Sequence, residues 1–259
     1  MKKLVIASAL LSALALTGTA HAYQAEIGGS AGFIDPDHGS SDGAFGVDGR
    51  YYFNGQVQTR NAPLAEAAFL DRASNVNAHY KYDEIGDSEK HTYGAGVEYF
   101  VPNSNFYVSG EIGRQDIEYK YGLDNDTTLY SAEVGYLPTP GLLVAVGVKG
   151  YDNDYTDGAD PTIRAKYVTS LSNGKDINLE ASAAFGDLDE FKIAGDYFLD
   201  KTFSVGADYY NNDLNDQTEF GINARKFVTP QISLEGRVGF GDIANNDYNK
   251  FGVAAKYRF

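Results

Sequence analysis

The chain has 259 residues, no cysteine, and 21 Lys plus Arg against 36 Asp plus Glu, a formal net charge of -15. The absence of cysteine excludes a disulfide framework and thiolate metal sites, and the acidic balance argues against a nucleic-acid partner, whose phosphates demand basic surface. The 29 glycines, 20 tyrosines and 15 phenylalanines fit a barrel wall, which uses aromatic side chains as interfacial girdles.

In chain order, the first predicted element is an export signal over residues 1–22. Lys2 and Lys3 form a positive start, Leu4 to Leu16 an apolar stretch, and Ala20-His21-Ala22 an A-x-A cleavage pattern. The apolar run is too short for a spanning helix, and no stop-transfer pattern follows it. Cleavage yields an expected mature chain of residues 23–259, a single outer-membrane β-barrel starting at Tyr23.

From Tyr23 onward the sequence alternates apolar and polar residues with the period of two that marks a strand wetted on one face. Strands are predicted over Tyr23–Phe33, Ala44–Phe53, Ser74–Asp83, His91–Val101, Phe106–Asp116, Thr127–Leu137, Leu142–Tyr151 and Pro161–Leu171. Asp176–Phe185, Glu190–Leu199, Thr202–Asn211, Gln217–Val228, a segment carrying Ile232 to Phe240, and Tyr248–Phe259 follow. Each is near the ~10 residues a tilted membrane strand needs, and about fourteen of them give the even number of a single-chain bacterial barrel. The last strand sets the phase. Phe251, Val253, Ala255, Tyr257 and Phe259 share a face suited to lipid, and Lys250, Gly252, Ala254, Lys256 and Arg258 share one suited to water.

The connections alternate too. Short turns at Pro102–Asn105, Pro138–Gly141, Ser172–Lys175, Asp200-Lys201 and Thr229-Pro230 read as periplasmic, with proline, glycine and asparagine supplying the turn geometry. Acidic stretches at Asp35–Asp37, Asp83–Glu89, Leu123–Asp126, Asp152–Asp160, Asp213–Asp216 and Asp242–Asp247 read as somewhat longer extracellular loops. One periplasmic connection, Asn54–Ala73, is far too long for a tight turn. Pro63 suits a first helical position, and Leu64 to Leu70 are good helix formers, so a short helix is predicted there. Pro63, Leu64, Glu66, Phe69, Leu70, Asp71 and Arg72 are its candidate gate residues. The segment is expected either to fold into the lumen as a constriction or to cap the barrel from outside.

Within this connection, Ala62-Pro63-Leu64-Ala65-Glu66-Ala67-Ala68-Phe69-Leu70 followed by Ala73-Ser74-Asn75-Val76 resembles the general porins of Acinetobacter and related gammaproteobacteria. The order of signal, first hairpin, this motif and a tyrosine-rich strand is similar as well. The resemblance implies a barrel of this size acting as a small channel in the outer membrane.

A lipid-spanning sheet must close, because unpaired backbone groups in hydrocarbon cost several kcal/mol each. Eight strands enclose only packed side chains and sixteen an aqueous channel, so about fourteen should leave a narrow pore. The strand phase turns Glu26, Asp48, Glu98, Glu111, Glu133, Glu180, Asp196, Asp208, Glu219 and Glu235 inward. Arg50, Lys81, Lys149, Arg164, Lys166, Lys192, Arg225, Arg237, Lys256, Arg258 and His79 are turned the same way. Charges at this density must line water or pair with one another. A transverse field between an acidic and a basic ladder is expected, with weak cation preference from the acidic outer loops. Two positions break the phase: Lys226 falls on the lipid face near the periplasmic end, where it can snorkel, and Arg114 falls out of phase, as a bulge after Ile112 would explain.

The remaining chemistry is thin. Outside the signal, His38, His79 and His91 are too scattered for a metal or catalytic claim, and no Ser/His constellation marks an outer-membrane hydrolase. Asp152–Gly158 evokes a calcium loop, but its glycine is one place late and its twelfth position is Ile163. The expected partners are outer-membrane lipid, lipopolysaccharide and small hydrophilic solutes, with a monomer preferred over a trimer and no cofactor. A plugged structural or adhesive barrel is the alternative, and a barrel enzyme the remote one.

Overall fold

The computed structural model describes residues 22–37, 41–59, 61–85, 88–119, 125–213 and 216–259. The export signal, apart from Ala22, and His38 lie outside the described residues.

Fourteen antiparallel strands close into one barrel. They are β2 (Ala25–Pro36), β3 (Asp42–Tyr52), β5 (Asn75–Ile85), β6 (Ser88–Phe100), β7 (Phe106–Tyr119), β8 (Asn125–Thr139), β9 (Leu142–Asn153) and β10 (Asp157–Ser170), then β11 (Asp176–Ala184), β12 (Glu190–Asp200), β13 (Phe203–Asn212), β14 (Gln217–Phe227), β15 (Ile232–Ile243) and β16 (Asn246–Arg258). The seam is the pairing of β16 with β2, from Tyr248 opposite Pro36 to Arg258 opposite Glu26. Closure satisfies both sheet edges, the condition for residence in hydrocarbon.

The apolar members of the two-residue alternation point out of the barrel. Val253, Ile112, Phe106 and Val134 are 65%, 63%, 60% and 59% exposed, an arrangement untenable in water and natural in lipid. Aromatic pairs mark both rims. Phe33 and Phe251 stack at 5.0 Å and Phe45 and Tyr82 at 5.1 Å near the outer ends, while Phe106–Tyr136 and Tyr257–Phe259, at 5.5 and 5.8 Å, lie near the periplasmic ends. Aromatic girdles of this kind sit at headgroup level.

The structure corrects several sequence-based expectations. Strand pairing continues beyond the membrane, so Asp152–Asp160 is not one loop: β9 runs to Asn153, β10 starts at Asp157, and Asn153 Oδ1 accepts the N–H groups of Tyr155 and Thr156 in a tight turn. Asp242–Asp247 is likewise a hairpin whose two central residues, Ala244 and Asn245, have φ of 51° and 64°. Paired positive φ matches the right-handed strand twist. Alanine tolerates that region poorly, so Ala244→Gly should raise stability by about 0.5 kcal/mol, read as a higher thermal transition in detergent. An unchanged or lower transition would contradict this.

There is no bulge after Ile112. The register of β7 with β6 and β8 runs unbroken through Arg114, which stays on the outer face and is neutralised there by Asp116 and Asp126. Tyr93 adds a hydroxyl donated to Asp116 at 3.2 Å. Lys226 does reach the periplasmic rim, donating to Thr202 Oγ1 at 2.6 Å beside Asp200.

Tyr23 is not in the barrel wall. Ala22–Tyr23 (β1) pairs instead with Val57–Gln58 (β4) inside the long connection. This two-stranded ribbon was illegible in the sequence because two residues carry no periodicity.

Candidate functional site

The connection from Tyr52 to Asn75 spans the periplasmic mouth as a plug. Pro63 precedes a 3₁₀ turn over Leu64–Glu66, which continues as a one-turn α-helix over Ala67–Leu70. The predicted helix is therefore split, and Pro63, with ψ of 129°, stands before it rather than at its first position.

The two sides of the plug are held by different chemistry. Towards β6–β9, Phe69 packs on inward Phe100, Tyr107, Leu137 and Leu143, and Arg72 Nη1 donates to Ser104 O and Asn105 Oδ1, both at 3.0 Å, in the β6–β7 turn. Within the connection, Ala62, Ala67 and Ala73 form a small core with Tyr23, Tyr52 and Val57, and Asp71 Oδ2 accepts the Gln58 N–H at 2.9 Å. Towards β10 and β16 the contacts are polar. Lys166 Nζ lies 2.9 Å from Glu66 Oε2, Arg258 Nη1 donates to Leu64 O at 2.8 Å, and the Leu64 N–H donates to Lys201 O at 2.8 Å. Leu70 and Asp71 are exposed on the periplasmic side.

The inner wall carries the other half of the alternation. Its charges do not separate into an acidic and a basic ladder, because oppositely charged side chains on nearby strands meet at short range. Arg258 pairs with Glu26 at 2.9 Å, Arg225 with Glu235 at 2.6 Å, and Arg237 with Asp208 and Glu219 at 2.5 and 2.6 Å. Arg164 pairs with Glu133 at 2.7 Å, Lys149 with Glu190 at 2.7 Å, and Lys81 with Asp83 at 2.7 Å. Lys256 reaches over β2 to Asp48 at 3.1 Å. That bridge needs Gly28 beneath it, since a Cβ there would fall 2.3 Å from Asp48 Oδ1. The expected transverse field is therefore replaced by local neutralisation, the outcome favoured when opposite charges come within reach along one strand or across one to three strands of a curved wall. Among the described residues Glu111 and Lys192, on the same inward alternation, make no ion pair. His79 faces Gly94, where a Cβ would come within 2.8 Å of its ring.

Over residues 1–159 the sequence matches the family described as putative general bacterial porin. The chain belongs to that family. The porin is similar in structure to the outer membrane protein Omp33 of Acinetobacter baumannii, with a TM-score of 0.72 and 29% identity over 92% of this chain and 99% of that one. It shares its fold with a TodX deltaS2S3 mutant, a monoaromatic hydrocarbon channel, at a TM-score of 0.57 and 7% identity over 92% and 90% of the two chains. Among curated proteins none matches this chain. The family and the closed barrel place the porin in the bacterial outer membrane as a channel and point away from an enzyme.

Against the plug lies an open, polar chamber of about 370 Å³, with Ala65, Glu66, Ala68 and Phe69 on its plug side. Several residues that shape this lumen went unnoticed in the sequence. Tyr52 and Tyr107 stand inward, where their hydroxyls donate to Glu26 and Glu98. Lys90, Asp83, Asp176 and Glu190 join the inner network. Strand phase alone would have found Tyr52 and Tyr107, had their aromatic rings not suggested the lipid girdle. The β11–β12 connection, whose Asp187 and Leu188 N–H groups donate to Asp160, carries too few residues to stand out.

Proposed function

We infer that this porin is a narrow, gated channel for passive diffusion of small hydrophilic solutes and ions. What supports this reading is the connection lying across the end of a charge-lined barrel, held by contacts that are short and few on its β10–β16 side. Pro63 to Arg72 act as the gate, and the inward charged residues and His79 line the path. Reconstitution into planar bilayers tests this. Ohmic current in KCl, interrupted by closures, is expected. A silent bilayer containing folded protein would establish the plugged structural barrel, which the mutual pairing of the wall charges otherwise favours.

Gate strength should depend on Glu66. Glu66→Gln removes the charge facing Lys166 but leaves a hydrogen-bonding amide there and Glu180 at 3.5 Å as the second partner of Lys166, so the open probability should rise about threefold, the weight of one hydrogen bond. Single-channel recording reads this directly, and unchanged dwell times would remove Glu66 from the latch.

Acidic side chains at the outer rim, among them Asp152, Asp154, Asp157, Asp213 and Asp242, give a weak cation preference that fades as salt shortens the Debye length. The zero-current potential in a KCl gradient measures it. An export signal cleaved before Tyr23, a monomeric state, and divalent cations joining the outer rim to lipopolysaccharide phosphates complete the reading. Cleavage is checked by the mass of the mature protein.

A further inference from the structure

The chamber against the plug is lined by five basic and five acidic side chains, and three of these ten are incompletely paired. Arg50 makes its one ion pair among the described residues at 4.0 Å, to Glu26, which is already engaged by Arg258. Among the described residues Glu98 accepts from neutral donors, Asn75 Nδ2 at 2.8 Å and the Tyr107 hydroxyl at 3.3 Å, and the Arg50 guanidinium acts on it only from beyond ion-pair distance. Asp196 accepts from Asn178 Nδ2 at 3.3 Å. Neither carboxylate has a cation within 4.0 Å among the described residues.

An equal number of opposite charges gives a lone cation or anion little net attraction, because each gain is offset by repulsion from the other set. A solute carrying both charges meets complementary partners at both ends. A neutral solute meets neither. The chamber volume of about 370 Å³ is within the range of small-molecule sites and far above that of a single water. We propose that the chamber selects amino-acid-sized zwitterions on their way through the channel, Arg50 receiving the carboxylate and Glu98 or Asp196 the ammonium. This rests on the channel reading above and adds the class of solute to it.

Four solutes of nearly equal size separate the possibilities in proteoliposomes at low concentration: alanine (zwitterion), lactamide (neutral), lactate (anion) and alaninamide (cation). Alanine uptake is expected to be saturable and about fivefold faster than lactamide uptake, the effect of two solvated charge pairs. Arg50→Gln, and separately the double variant Glu98→Gln with Asp196→Asn, should each bring that ratio towards one. Equal uptake of alanine and lactamide, or faster uptake of lactate or alaninamide than of alanine, overturns the proposal while leaving a channel. Absence of both lactamide uptake and KCl current overturns the channel reading and this inference with it.

Discussion

Replacing residues 54–73 by a four-residue turn should raise single-channel conductance on the order of five- to tenfold, from the gated level to that of an open fourteen-stranded barrel. The graft is feasible because Tyr52 and Asn75 already face each other in the β3–β5 register, so a short turn joins them without shifting either strand. The barrel ladder does not involve the removed segment. What disappears is the apolar anchorage of Phe69 on Phe100, Tyr107, Leu137 and Leu143, the Lys166–Glu66 pair and the Arg258–Leu64 hydrogen bond. With the plug side of the chamber gone, the remaining resistance is that of a wall with many small inward residues. Planar-bilayer recording of the wild type and the graft decides the point. Identical conductance would mean that the plug does not control the path, and that the constriction lies elsewhere.

Arg258→Ala should cost about 3 to 5 kcal/mol of barrel stability, the range seen when one partner of a buried ion pair is removed. Arg258 is only 6% exposed and sits where the seam, the plug and the N-terminal ribbon meet. Its guanidinium bonds Glu26 Oε2 at 2.9 Å and Leu64 O at 2.8 Å and lies 4.5 and 4.6 Å from the ring centres of Tyr23 and Phe227. Alanine leaves Glu26, itself 7% exposed, with Arg50 at 4.0 Å as its closest remaining cation. It also leaves Leu64 O without that donor. Arg258→Lys restores the charge but not the fork that serves two acceptors and two rings at once, so it should recover less than half of the loss. The temperature at which the barrel loses heat-modifiable migration on gels measures both variants. A loss under about 1 kcal/mol for alanine would show that Glu26 is solvated in place and that Arg258 is dispensable to the seam.

Much of the wall is legible in the sequence, and for one reason. A strand between lipid and solvent must alternate, so Phe251, Val253 and Tyr257 against Lys250, Lys256 and Arg258 fix both strand and facing. Strand ends were less legible. Asp157, Asp242 and Asn246 look like loop residues, yet they pair, because hydrogen bonding of the ladder continues past the hydrocarbon into water where polar side chains cost nothing. Arg114 misled in the opposite way. Its charge on the lipid side called for a bulge, whereas neighbouring Asp116 and Asp126 neutralise it at the outer rim without disturbing the register.

The plug shows where sequence reasoning stops. Pro63 and the alanines behind it announce a short helix, and nothing in their order says which way the helix swings. That is settled by Phe100 and Leu143 on one side and Lys166 and Arg258 on the other, residues up to 194 positions from their plug partners. By itself the sequence determined a closed, lipid-facing wall and its inward charged lining, because local alternation encodes facing strand by strand. Only the tertiary structure decided that the inward charges pair locally instead of forming opposed ladders, and that the long connection lies across the barrel end between β6–β9 and β10–β16. Both depend on the curvature of the barrel, which brings together side chains that no local pattern relates.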